Sequence, residues 1–202
     1  MSYKKVFLLG NSLLLGMFDT YGMCSTDPQS DYAYYLTQEL VAREPDCKIS
    51  KLRISQFEMC ESVEDFEEWF SKALPYFESD LDLISFQLMD NVNNEARWET
   101  FKKTFPELLL RAKKLCPNAR IIWVHGWYNQ PTILDFANQT VAELGVENID
   151  IGATRTKENE SYRGQISLNA EGEQIVVDDT WVTHPGNKGM REIAHILISK
   201  LF

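Results

Sequence analysis

A serine at the end of an apolar run can act as a nucleophile if a base and oxyanion donors reach it. Gly10-Asn11-Ser12 follows Val6-Phe7-Leu8-Leu9 in this way. The glycine permits a tight turn, the turn exposes the hydroxyl, and the next segment starts with free backbone N–H groups suited to an oxyanion. The same tripeptide also suits a serine that only caps a helix or sits in a turn. Leu14 stands where a Gly-x-Ser-x-Gly elbow would carry its second glycine, and Gly10, Gly16 and Met17 lack the spacing of a phosphate loop. The candidate base is His184, in Thr183-His184-Pro185-Gly186-Asn187-Lys188-Gly189-Met190. Its imidazole has an ordinary pKa near 6.5 and can take a serine proton and return it to a leaving group. The bland alternative is a histidine that packs at a helix entry, with Asn187 capping that helix. His125 and His195 fit the role of base less well. Asn91, after another apolar run, could donate its amide to a developing oxyanion or could simply begin a loop.

Positioning these residues falls to alternating apolar and amphipathic segments. Val6–Leu9, Lys48–Ile54, Leu81–Leu88, Arg120–Val124 and Val146–Ile151 read as strands. Asp31–Arg43, Val63–Phe77, Glu95–Leu115, Ile133–Leu144 (closed by Gly145) and Lys188–Leu201 repeat apolar residues at helical spacing. Pro106 is expected to kink or divide the third of these helices. Gln165–Leu168 and Gln174–Val177, on either side of residues 169–173, read as a small hairpin. Strand–helix alternation needs crossovers, so the expectation is one α/β domain over residues 1–202: a mostly parallel five-stranded sheet covered on both faces. Functional residues then gather on loops leaving the carboxyl ends of the strands. Ser12, Ser55-Gln56-Phe57, Asp90-Asn91, His125-Gly126-Trp127-Tyr128 and His184 fall on such loops.

Composition narrows the chemistry. The 202 residues are 44% hydrophobic with a formal net charge of -10 and no basic stripe, which argues against nucleic acid and anionic membranes as partners. The apolar run after Lys4-Lys5 is too short for a signal-peptide core, so a cytoplasmic location is expected, although a leader removed from a longer chain is compatible with the same residues. Cys24, Cys47, Cys60 and Cys116 show no metal-ligand spacing and read as reduced structural thiols. Neither a metal nor a cofactor is expected, and no residue pattern sets the oligomeric state.

Together the blocks resemble the SGNH hydrolase family, also called GDSL-like esterases and lipases. Gly10-Asn11-Ser12-Leu13 is similar to the family's first block, with asparagine in place of aspartate. Gln87-Leu88-Met89-Asp90-Asn91 is similar to its third, with Met89 in place of glycine. His184 to Met190 resembles its last block, His-Pro-x-x-x-Gly-Met. The resemblance implies a flavodoxin-like three-layer α/β/α fold and ester hydrolysis or acyl transfer through an acyl-enzyme on Ser12, with His184 as base and Asn91 as oxyanion donor. Two departures stand out. No glycine occurs between Gly22 and Gly126, so the Ser55-Gln56-Phe57 loop must supply the second block's backbone donor. Trp181 occupies the usual aspartate position, leaving Asp179, Asp178 or a backbone carbonyl to orient the imidazole, with Asp179 favoured as the nearer carboxylate. Trp127, Tyr128 and Trp181, with Gln56, are the expected substrate-binding residues, and aromatic faces suit an acetylated carbohydrate. These aromatics could equally roof the edge of the core. The rival reading is a non-catalytic SGNH-like binding domain whose oxyanion hole is degenerate.

Overall fold

The computed structural model describes residues 2–16, 21–168 and 173–202. Strand β1 (Lys5–Gly10) leads into the single turn α1 (Ser12–Leu15), and α2 (Tyr32–Arg43) crosses to β2 (Lys48–Arg53). A second short turn, α3 (Ser55–Glu58), precedes α4 (Val63–Ala73) and β3 (Leu83–Gln87). Then come α5 (Glu95–Leu115), β4 (Arg120–Val124), α6 (Pro131–Glu143) and β5 (Glu147–Ile149). The hairpin β6 (Ile166–Leu168) and β7 (Gln174–Val176) precedes the closing helix α7 (Asn187–Leu201); its turn, residues 169–172, lies outside the described residues.

The five-stranded sheet has the order β2-β1-β3-β4-β5 and every pairing in it is parallel. Strand periodicity divides the apolar residues between two cores. In β1, Phe7 and Leu9 join the layer with Phe66, Trp69, Phe101 and Phe105 from α4 and α5. Val6 and Leu8 join the opposite layer, with Leu36, Leu40, Met190, Ile193 and Leu197 from α2 and α7. The result is three layers, α/β/α.

Two local expectations are corrected. Pro106 does not divide α5, which is helical across all 21 residues. Pro106 and Lys102, whose carbonyl the ring leaves without its helical donor, are both only half-buried, so water can satisfy that carbonyl. Conversely, α4 ends at Ala73 and a 3-10 turn over Leu74–Tyr76 follows, set by Pro75. Gly145 closes α6 as expected, at φ 62°.

Candidate active site

The carboxyl ends of β1, β3 and β4 deliver three loops to one edge, and the segment before α7 meets them there. Asn11 caps α1, its side-chain oxygen accepting from Leu13 N–H at 3.1 Å, and this seats Ser12 at the first helical position. Ser12 is half-buried, its carbonyl accepts from Met23 N–H at 2.7 Å, and its own N–H makes no hydrogen bond among the described residues. The N–H groups of Ser55 and Gln56 are likewise unpaired among the described residues, as expected in the first turn of a helix. Gln56 is exposed and lines a cavity of about 600 Å³ shared with Leu15, Lys51, Arg53 and Trp69.

Asp90 ties the loops together. Its buried carboxylate accepts from Asn11 Nδ2 at 2.9 Å, Trp127 N–H at 2.9 Å and Tyr128 N–H at 2.8 Å. The Tyr128 hydroxyl then lies 3.1 Å from His184 Nδ1 and 3.1 Å from Thr183 Oγ1. Tyr128 thus bridges the two parts of the site, its backbone N–H fixed to Asp90 beside Asn11 and its hydroxyl against the imidazole. A second link passes through the residues after Met23, since the Cys24 thiol donates to the Trp181 carbonyl at 3.3 Å.

His184 is held by a backbone group. Nδ1 lies 3.1 Å from the Trp181 carbonyl oxygen, which can only accept, so the proton belongs on Nδ1 and the lone pair on Nε2. Burial pushes the imidazole below its ordinary value, opposed by the Trp181 carbonyl and then by Asp90, and so favours the neutral ring. Among the described residues no hydrogen bond joins Ser12 Oγ to His184 Nε2 in this conformation. Asp179 is not brought to the ring: it is exposed and lies 3.3 Å from Arg163. Asp178 caps the turn through Thr180 N–H at 2.8 Å. Nor does Asn187 cap α7. Gly186 takes the cap position, and the Asn187 amide grips Thr26 instead, accepting from its N–H at 2.9 Å and donating to its hydroxyl at 2.7 Å.

The expected aromatics divide. Trp127 is buried, and its indole N–H is committed to the Thr183 carbonyl at 2.7 Å. Tyr128 faces the imidazole, edge-on at 5.6 Å between centroids. Trp181 is half-buried and contributes its carbonyl. A hollow of about 480 Å³ opens beside Tyr128, lined also by Trp127, Asn129, Arg155, Glu160 and Thr183.

Asn91 is half-buried, and one of its amide protons is already engaged: Nδ2 donates to Glu58 Oε2 at 2.5 Å. Glu58 is 1% exposed, and its other oxygen accepts from Met89 N–H and from Asn11 Nδ2 at 3.3 Å. Burial, reinforced by Asp90, pushes its carboxyl up to about 7. Sequence reasoning missed this residue. The available signal is weak: one acid flanked by Phe57 and Met59 at the carboxyl end of the second strand. Met89, which stands at the glycine position of the third block, adopts φ 121°. That conformation costs an L-residue about 1–3 kcal/mol. Full burial of the thioether side chain returns a similar amount, about 1.5–3 kcal/mol, so methionine can hold a backbone shape that otherwise favours glycine.

No protein-family model matches the sequence and no curated protein is similar to it. Solved structures do share its architecture. Phospholipase A1 from Streptomyces albidoflavus NA297 superposes with a TM-score of 0.61 at 13% identity, covering 98% of this chain and 100% of that one. The extracellular lipase from Streptomyces rimosus gives 0.59 at 13%, covering 97% and 99%. The chain has the SGNH hydrolase fold. A family two carbohydrate esterase from Clostridium thermocellum shares that SGNH fold at a TM-score of 0.57 and 13% identity, and the whole of this chain spans 64% of it. The last-block glycine also finds its reason in the SGNH architecture: a Cβ on Gly189 would come within 2.4 Å of the Asn159 carbonyl oxygen, so only glycine lets α7 approach the turn beneath His184.

Proposed function

We propose that the chain is a serine esterase that hydrolyses a small acyl ester, with Ser12 as nucleophile, His184 as base and Asn91 as a donor to the oxyanion. The observation that carries this reading is the 3.1 Å contact between His184 Nδ1 and the Trp181 carbonyl oxygen, which favours the tautomer with Nε2 as the basic nitrogen. Nε2 takes the Ser12 proton while Oγ bonds to the ester carbonyl carbon, and the oxyanion forms near the unpaired N–H groups of Ser12 and Gln56 and the Asn91 amide. The imidazolium then protonates the departing alcohol. A water, deprotonated by the same nitrogen, releases the acid and restores Ser12. A carbonyl partner stabilises the imidazolium less than a carboxylate would, so a Ser–His dyad is expected rather than a triad.

An O-acetylated carbohydrate is the proposed substrate class. The hollow beside Tyr128 offers the aromatic side chains of Tyr128 and Trp127 with the polar side chains of Asn129, Arg155 and Glu160, a lining suited to a hydroxylated alcohol portion. The similarity in fold to a carbohydrate esterase supports the same class. The rival, a binding domain without turnover, is favoured by the missing Ser12–His184 hydrogen bond and the engaged Asn91 amide.

A fluorophosphonate probe separates the two readings, because only an activated serine is labelled. Ser12 is expected to be labelled, and Ser12→Ala and His184→Ala are each expected to abolish labelling and hydrolysis of p-nitrophenyl acetate. The double variant should be no worse than either single one, because the two residues act as a unit. Full activity in a folded Ser12→Ala protein would refute the assignment.

A further inference from the structure

The loop that carries Asn91 is fastened on every side but one. Gln130 Nε2 donates to the carbonyls of Met89 and Asp90, each at 3.2 Å, and Arg97 Nη1 donates to the Asn91 carbonyl at 3.3 Å. The Met89 N–H and the Asn91 side-chain nitrogen both point to Glu58. Because Glu58 is 1% exposed, it cannot touch a substrate and can act only through the groups it holds. Those groups come from two of the loops at the site, since Asn11, next to Ser12, also donates to it.

We infer that Glu58 is the positioning residue of the oxyanion hole, holding the Asn91 amide nitrogen-side inward through one proton so that the other is presented to the oxyanion. This rests on the esterase reading above. An ionised carboxylate only accepts, so it tolerates the nitrogen of Asn91 and rejects its oxygen, which removes the amide's two-fold ambiguity. The same oxygen pair fixes the Met89 N–H, and with it the backbone that sets where the Asn91 side chain starts. Asp90 is the charged neighbour facing Glu58. Arg97 on α5, a cation that also holds this loop, is committed to Asn91 O, Asn93 and Glu61. Protonation of Glu58 turns one acceptor into a donor and releases one of the three N–H groups.

A double-mutant cycle tests the inference. Glu58→Gln should lower kcat on p-nitrophenyl acetate by about 10-fold or more, short of the roughly 100-fold loss expected for Asn91→Ala, with KM unchanged in both. In the Asn91→Ala background, Glu58→Gln should cost nothing further, because its effect passes through the residue already removed. Additive losses, or a Glu58→Gln enzyme as fast as or faster than wild type, would overturn the assignment. A second measurement needs no turnover. The Asn91 side-chain amide resonance, identified by its loss in Asn91→Ala, should titrate near pH 7 in the Ser12→Ala protein and stay flat once Glu58→Gln is added. A flat resonance in Ser12→Ala itself refutes the anchor. Absence of Ser12 labelling in wild type, with the titration present, refutes the esterase reading instead.

Discussion

His184 exchanges a carboxylate for a carbonyl, and that changes what mutagenesis should find. Asp179→Asn and Asp178→Asn are both expected to leave kcat on p-nitrophenyl acetate within about 2-fold of wild type, because a solvated pair such as Asp179–Arg163 is worth only about 0–1 kcal/mol and neither carboxylate reaches the ring. A loss of orders of magnitude in either variant would show that the loop rearranges when substrate binds. Individual residues also show the limits of sequence reading. Ser12 and His184 stand out as candidates because each sits in a short local pattern of turn residues. The partner of His184 could not, since every residue has a carbonyl and only the fold decides which one faces an imidazole. Glu58 looks like any other acid in a chain with 30 of them, and its burial emerges only when β1, α3 and the loop after β3 meet.

At the scale of elements, α7 sets the depth at which His184 sits. Gly189 lies against the Asn159 carbonyl, which also accepts the Gly186 N–H at 2.9 Å, and Ser161 N–H donates to the His184 carbonyl at 2.8 Å. Gly189→Ala should therefore push α7 off this turn, costing about 1–3 kcal/mol in stability as an overpacked contact. It should also lower kcat more than KM rises, because the imidazole shifts while the hollow remains. Chemical denaturation and steady-state kinetics on the one variant check both parts, and unchanged values would mean that the turn yields freely. The long helices are legible because their 3.6-residue period is written along the chain, and the central strands because burial on both faces makes them continuous apolar runs; only Lys48–Ile54 alternates. The short turns α1 and α3 are not legible, since four residues carry too little periodicity to register, yet they hold Ser12 and Glu58.

For the whole molecule, Glu58 makes stability depend on pH in an unusual direction for an acid. Its folded value, about 7, lies above the 4.5 of an exposed carboxyl, so between these values the native state binds more protons than the unfolded chain. Stability contributed at low pH is then lost as pH rises through 7, by on the order of 3 kcal/mol. His184 works the other way: its depressed value makes stability rise with pH up to about 6.5, where the unfolded imidazole has lost its proton. Glu58→Gln should abolish the first effect alone. Thermal melts from pH 5 to 8 should show wild type losing ground steadily to the variant, and parallel curves would contradict a raised Glu58.

The order of the sheet leaves β2 and β5 with open backbone edges, where a stray strand from another molecule could pair. The two edges are guarded by different means. β5 offers only three residues, too few for a stable intermolecular ladder. β2 is six residues long and half-exposed, but it carries Lys48, Lys51 and Arg53. A second copy arriving edge-to-edge and antiparallel would bring Lys48 and Lys51 close to their own counterparts, which opposes the pairing. Lys48 and Lys51 on this edge therefore disfavour fibril-like stacking, quite apart from anything Lys51 does in lining the cavity it shares with Gln56.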